Sequence, residues 1–80
     1  MTPLSRERRN MRLVARLDHL GLTPAKFMRR YGATKARFTY LIRAKSWRPD
    51  TLRKVSEALH VDPLYWICEE FDENGDKIGT

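Results

Sequence analysis

Apolar side chains recur at helical spacing in successive stretches of this chain, and residues that cap or stop helices separate them. In the first stretch Leu13, Val14, Leu17 and Leu20 form one stripe, while Arg6, Arg8, Arg9, Arg12 and Arg16 fall largely off it, as a solvated face does. Thr2-Pro3 offers an N-cap and a first helical residue, Ser5 is the competing start, and Gly21 ends the helix. Thr23 caps a second helix that opens with Pro24 and turns Phe27, Met28 and Tyr31 inward. Gly32 supplies the positive φ at which that helix stops, and Thr34 caps a third from about Lys35 to Ala44. On the third helix Phe38 and Leu41, with Ile42 beside them, point one way, and Lys35, Ala36, Thr39, Tyr40 and Arg43 point the other. Pro49 and Asp50 open a fourth helix with Leu52, Val55 and Leu59 buried, and His60-Val61 stops it. Asp62-Pro63 starts a short fifth that runs through Leu64, Tyr65, Trp66, Ile67 and Cys68.

The expected architecture is therefore all-α: a compact bundle of four to five short helices over residues 1–70, with an acidic polar tail at 71–80. Trp47 and Trp66 are expected to close the small core. In the tail Asn74-Gly75 is a turn signal, but its flanks are charged, which predicts a disordered end or a weak hairpin. Asp72, Asn74 and Asp76 imitate the opening of a calcium loop, yet the glycine is misplaced and the sequence stops before the closing glutamate. A chain of 80 residues buries only about 60 % of its unfolded surface, which leaves no room for a large catalytic cavity.

Charge changes this picture. Residues 1–60 carry fifteen Lys or Arg against four Asp or Glu, and residues 61–80 carry one against six. No acid lies between Asp18 and Asp50, where Lys26, Arg29, Arg30, Lys35, Arg37, Arg43, Lys45 and Arg48 concentrate positive potential. A polyanion suits that run; lipid head groups or an acidic protein are the competing partners. A membrane-surface helix, however, exposes a large apolar face, and here the apolar residues are needed inside.

Other chemistry is sparse. No apolar run approaches the ~20 residues of a membrane span and no signal-peptide centre is present, so a cytoplasmic protein is expected. Cys68 has no disulfide partner, and Cys68, His19 and His60 lack zinc-like spacing, which predicts a reduced chain without metal or cofactor. Cys68 and His60 have no base arranged beside them and no carboxylate pair shares a face, so neither catalysis nor a small-molecule substrate is expected. The outward face of the third helix can donate, accept and stack, as the major groove of DNA requires, although an ordinary amphipathic surface helix has the same pattern.

The order LGLTPAKFMRRYGATKARFTYLIRAK, followed by WRPDTLRKVSEALHVDP, resembles the helix-turn-helix domains of the lambda repressor and Cro (Xre-type) family over roughly residues 10–67. Leu22-Thr23, Phe27, Gly32, Thr34, Phe38, Leu41, Leu52, Val55, Ala58, Leu59 and Val61 carry the match. The resemblance implies that Lys35, Ala36, Thr39 and Tyr40 face base edges of double-stranded DNA, and that Arg37 and Arg43 flank them toward phosphate. Lys26, Thr34, Lys45 and Arg48 are further phosphate candidates. Met28 and Phe38 are larger than the family's usual residues, Pro24 replaces a common phosphate-binding glutamine, and Ile42, read as additional core, stands where a polar residue is usual.

The function so implied is that of a Cro-like or repressor-like transcription regulator, of phage or chromosomal origin, in the cytoplasm or nucleoid of a prokaryote. The alternative is a helix-turn-helix antitoxin or other protein-interaction module that regulates its own operon. One recognition helix reads few base pairs, so a homodimer on an inverted repeat is expected. Tyr65, Trp66, Ile67 and Phe71 are the candidate dimer surface; otherwise Leu64 and Trp66 cap the core of a monomer.

Overall fold

Ser5 wins the competition to start the chain's first helix. In the computed structural model, which describes residues 3–71, its hydroxyl accepts the Arg8 amide and helix α1 runs Arg6–His19. Pro3 instead lies in an isolated antiparallel bridge with Cys68, which ties the N-terminal strand-like segment to the far end of the bundle. Thr23 caps α2 (Pro24–Tyr31) by accepting the Lys26 amide, and Gly32 ends it at φ 77°. Thr34 caps α3 (Lys35–Arg43) by accepting the Arg37 amide. Helix α4 (Pro49–Leu59) ends on His60, at φ 57° the single described non-glycine residue with positive φ. The fifth element is a single 3₁₀ turn, Pro63–Trp66, whose cap Asp62 accepts the Leu64 amide. The acidic tail at 72–80, with its Asn74-Gly75 turn signal and its rejected likeness to a calcium loop, and the Thr2 cap lie outside the described residues.

The helices enclose one core. Leu13, Leu17, Phe27, Leu41, Trp47, Val55, Leu59, Val61, Tyr65 and Trp66 are all buried in it. Phe27 sits at its centre, stacked on Tyr31 and edge-on to Phe38, so it joins α2 to α3. Trp47 and Trp66 close the opposite side, with ring centroids 5.2 Å apart, and each indole N–H is satisfied: Trp47 donates to the Leu41 carbonyl and Trp66 to the Ser56 hydroxyl.

Helix α1 departs most from the sequence-based expectation. Its buried positions are Arg9, Leu13, Arg16 and Leu17, a helical period that includes two arginines, whereas Val14 is 63 % exposed. Arg6 and Arg8 stay exposed as expected, whereas Arg9, Arg12 and Arg16 are drawn in because the carbonyl ends of three other elements abut them. Arg9 donates to the carbonyls of Leu41 and Ile42 at the end of α3 (2.8 and 3.2 Å). Arg12 donates to those of Tyr65 in the 3₁₀ turn and of Cys68 and Glu69 just after it, at 2.6, 2.8 and 3.0 Å. Arg16 donates to those of Leu59 and His60 at the end of α4 (2.8 and 3.1 Å). The last carbonyls of a helix have no partner within it and carry negative partial charge, so a guanidinium is a suitable cap for each. Ile42, expected as core, is 37 % exposed instead, because α1 meets α3 through Arg9 and Asn10 there and leaves an open apolar groove beside them.

Candidate nucleic-acid interface

Helix α3 is held by its inner face. Leu41 is fully buried, and Phe38 is half-buried against the core. That arrangement turns Lys35, Ala36, Thr39 and Tyr40, all exposed, to the outside on one side of the helix. The face has internal order. Thr39 Oγ1 donates to the Lys35 carbonyl (3.1 Å), which uses its proton within the helix and leaves its lone pairs and methyl for an outside contact. Arg37 lies over the Tyr40 ring, 4.9 Å from its centroid, and reaches the Thr51 hydroxyl of α4 at 3.5 Å. Tyr40 is thereby braced by a cation while its edge stays open.

In the same acid-free stretch Lys26 stands on α2, Arg43 at the end of α3, and Lys45 and Arg48 on the connection to α4, all exposed. Among the described residues none of these four side chains is engaged in an ion pair, so each keeps its donors for a partner. Thr34 is different: its hydroxyl already caps α3, and it meets a ligand only through its remaining hydrogen-bonding capacity.

The four residues of the candidate dimer surface are divided between core and surface. Tyr65 and Trp66 are 3 % and 1 % exposed; their rings pack edge to face, Trp66 against Trp47, and they are core. Ile67 is 40 % exposed and Phe71 is half-buried, so only these two remain near the surface. A different apolar feature lies between α1 and α3: a groove of about 350 Å³ lined by Leu13, Val14, Leu17, Leu22, Phe38 and Ile42, with Asn10, Asp18 and Pro24 at its edges. No lysine or arginine lines it. Among the described residues no three His, Cys, Asp or Glu side chains gather as a metal site, and no helix is long and apolar enough to cross a membrane.

The residues that sequence reasoning missed are those that anchor α3 from behind. Four side chains converge on its last carbonyls: Arg9 and Trp47 on Leu41, Arg9 and Asn10 on Ile42, and Arg6, at 3.4 Å, on Arg43. A signal was available in the period, because stepping back four residues from Leu13 lands on Arg9 and stepping on three lands on Arg16. Burial has a cost for Arg9. Desolvation, reinforced by the nearby Arg6 charge and opposed by Glu7, lowers its pKa from the usual arginine value. Compared with models of known protein families, with curated proteins and with solved structures, the chain finds no match.

Proposed function

We propose that the chain is a sequence-specific, double-stranded DNA-binding regulator of the helix-turn-helix kind, with α3 as its recognition helix. The observation that carries this reading is a conjunction: α3 exposes Lys35, Ala36, Thr39 and Tyr40 on one face, and it lies in a stretch of chain that holds exposed Lys26, Arg37, Arg43, Lys45 and Arg48 without a single acid. In the major groove Lys35 donates to guanine O6 or N7, Thr39 accepts or packs its methyl on a thymine methyl, and Ala36 permits close approach. Tyr40 contributes its hydroxyl or its ring edge. The cations outside this face bind phosphate and set register without reading sequence. The resemblance to repressor and Cro domains supports the same assignment, and with it a Cro-like or repressor-like action in a prokaryotic cytoplasm, on an inverted-repeat operator occupied by two copies.

Selection from a random duplex pool, followed by binding titrations of the selected duplex at several salt concentrations, tests the proposal. A recovered consensus is expected, with affinity that falls steeply as salt rises. Replacing a phosphate-binding cation, as in Arg48→Gln, should lower the log–log salt slope by about 1. Failure to enrich any duplex, or affinity nearly independent of salt, rejects it. The base-free apolar groove between α1 and α3 favours a second reading, a module that also docks a protein partner, as antitoxins do.

A further inference from the structure

The three main-chain ends that follow α2, α3 and α4 are closed in two ways. Helices α2 and α4 finish in left-handed residues, Gly32 and His60, and the following amides fold back onto Met28 and Ser56. Helix α3 has no such turn. Its cap, Ala44, is extended at φ −60° and ψ 133°, and its amide reaches only the Tyr40 carbonyl. The remaining carbonyls of its last turn, those of Leu41, Ile42 and Arg43, depend on side chains from elsewhere.

Arg9 is the centre of that arrangement. It is 3 % exposed, its guanidinium lies 4.5 Å from the Trp47 ring centroid, and Nη2 meets both the Leu41 and Ile42 carbonyls. Trp47 Nε1 also donates to the Leu41 oxygen, at 2.8 Å, and Asn10 Nδ2 donates to the Ile42 carbonyl at 2.9 Å. Meanwhile Nε and Nη1 of Arg9 are buried with no hydrogen-bond partner. Because Trp47 and Asn10 also donate to the Leu41 and Ile42 carbonyls, a buried guanidinium with two idle nitrogens adds little stability here over an apolar side chain of similar length. What it provides is geometry: a planar group stacked on a buried indole holds the end of α3 at one distance and one angle from α1.

Resting on the reading that α3 meets DNA, we infer that Arg9 is a positioning residue for base recognition, acting through the carbonyl end of α3 and touching neither base nor phosphate. The lever is short. Helix α3 spans about 13 Å, so a rotation of about 10° at its clamped end moves Lys35 by roughly 2 Å, enough to break a hydrogen bond to a base edge. Phosphate contacts made by flexible lysines and arginines absorb such a shift, so loss of the clamp reduces discrimination more than it reduces attraction.

The test compares Arg9→Met, Arg9→Lys and Trp47→Phe with the wild type on the duplex that the wild type selects and on random duplex, each affinity corrected for the folded fraction. Arg9→Met should weaken selected-duplex binding about 10- to 100-fold and change random-duplex binding by less than about 3-fold. Arg9→Lys, which keeps one donor for the Leu41 carbonyl, should recover part of the ratio, and Trp47→Phe should lower it in the same direction. A purely structural role moves both affinities together; an unchanged ratio in the variants overturns the inference while the DNA reading stands. Should Arg9→Met not fold, the ratios of Arg9→Lys and Trp47→Phe decide the matter. A wild type that selects no duplex removes the DNA reading and this inference with it.

Discussion

Arginine serves two regions of this molecule in opposite ways. On α1, Arg9 and Arg16 are buried and Arg12 is half-buried, and between them they close the carbonyl ends of α3, α4 and the 3₁₀ turn. From Lys26 to Arg48 the same charge is carried on exposed side chains, and the bonds they make to the protein are few and long: Arg30 to the Ala58 carbonyl at 3.4 Å and Arg37 to Thr51 at 3.5 Å. The difference lies in what each side chain can reach. Where helix ends leave carbonyls unpaired, a guanidinium is drawn in as a structural donor; where acceptors are absent, its donors stay available for a polyanion. Positive charge on this chain is therefore two resources, one used in holding the fold and one left on offer.

The largest effect should separate these two groups by stability. Removing Arg16 leaves the Leu59 and His60 carbonyls short of a partner in a buried setting, so Arg16→Met should destabilise the fold by about 2–4 kcal/mol. Arg29 is exposed on α2, and Arg29→Met should stay within about 0.5 kcal/mol of the wild type. Urea titration of both reads the contrast directly. An Arg16→Met loss below about 1 kcal/mol would mean that the carbonyl caps matter no more than surface charge, and the division would collapse.

Binding should reverse the ranking. Lys35→Ala or Thr39→Ala is expected to weaken the selected duplex by about 1–3 kcal/mol, while urea stability and random-duplex affinity stay nearly unchanged. Equal losses on selected and random DNA would show that the outward face of α3 attracts without reading.

What the sequence displays and what it hides follow from the range of the forces involved. Thr23, Thr34 and Asp62 are visible as caps, because a cap bonds an amide two or three residues away and the whole interaction lies within one stretch. Gly32 is visible for the same reason. The helix count and the exposure of Lys35 and Thr39 followed from periodicity, and the core role of Trp47 from its aromatic bulk in so small a fold. Arg9, Arg12 and Arg16 were misread because their partners lie 32 to 57 residues away, and only the packed fold brings those carbonyls to α1. Val14 and Ile42 were misplaced with them, since a face occupied by arginine caps displaces the apolar stripe and opens the α1–α3 groove. Tyr65 and Trp66 read as interface because their segment is acidic overall, yet Trp66 meets the Ser56 hydroxyl and the Trp47 ring, and the Tyr65 hydroxyl donates to the Arg12 carbonyl.

The smallest effect sits where the two arginine groups meet, at the start of α1. Glu7 is fully exposed in the first turn, 3.4 Å from exposed Arg6, and one residue before Arg8, which bonds Glu69. A hydrogen bond from its own backbone, and then the hydrogen bond and charge of Arg6 with the Arg9 charge behind them, hold its carboxyl below the ordinary glutamate range against an opposing desolvation. A carboxyl whose pKa is depressed by folding stabilises the native state above its unfolded pKa, and that contribution is lost as pH falls through the lowered native value. Wild type and Glu7→Gln should therefore differ slightly in melting temperature at pH 7 and converge in acid, in the window just below the normal glutamate pKa. High salt should shrink the difference at pH 7, because the Arg6 partner is in solvent, whereas the deficit of Arg16→Met should persist in the same salt because its bonds are buried. If salt erased the Arg16→Met deficit as well, the α1 arginines would be acting through long-range charge like the exposed set, and the distinction between the two regions would fail at its most sensitive point.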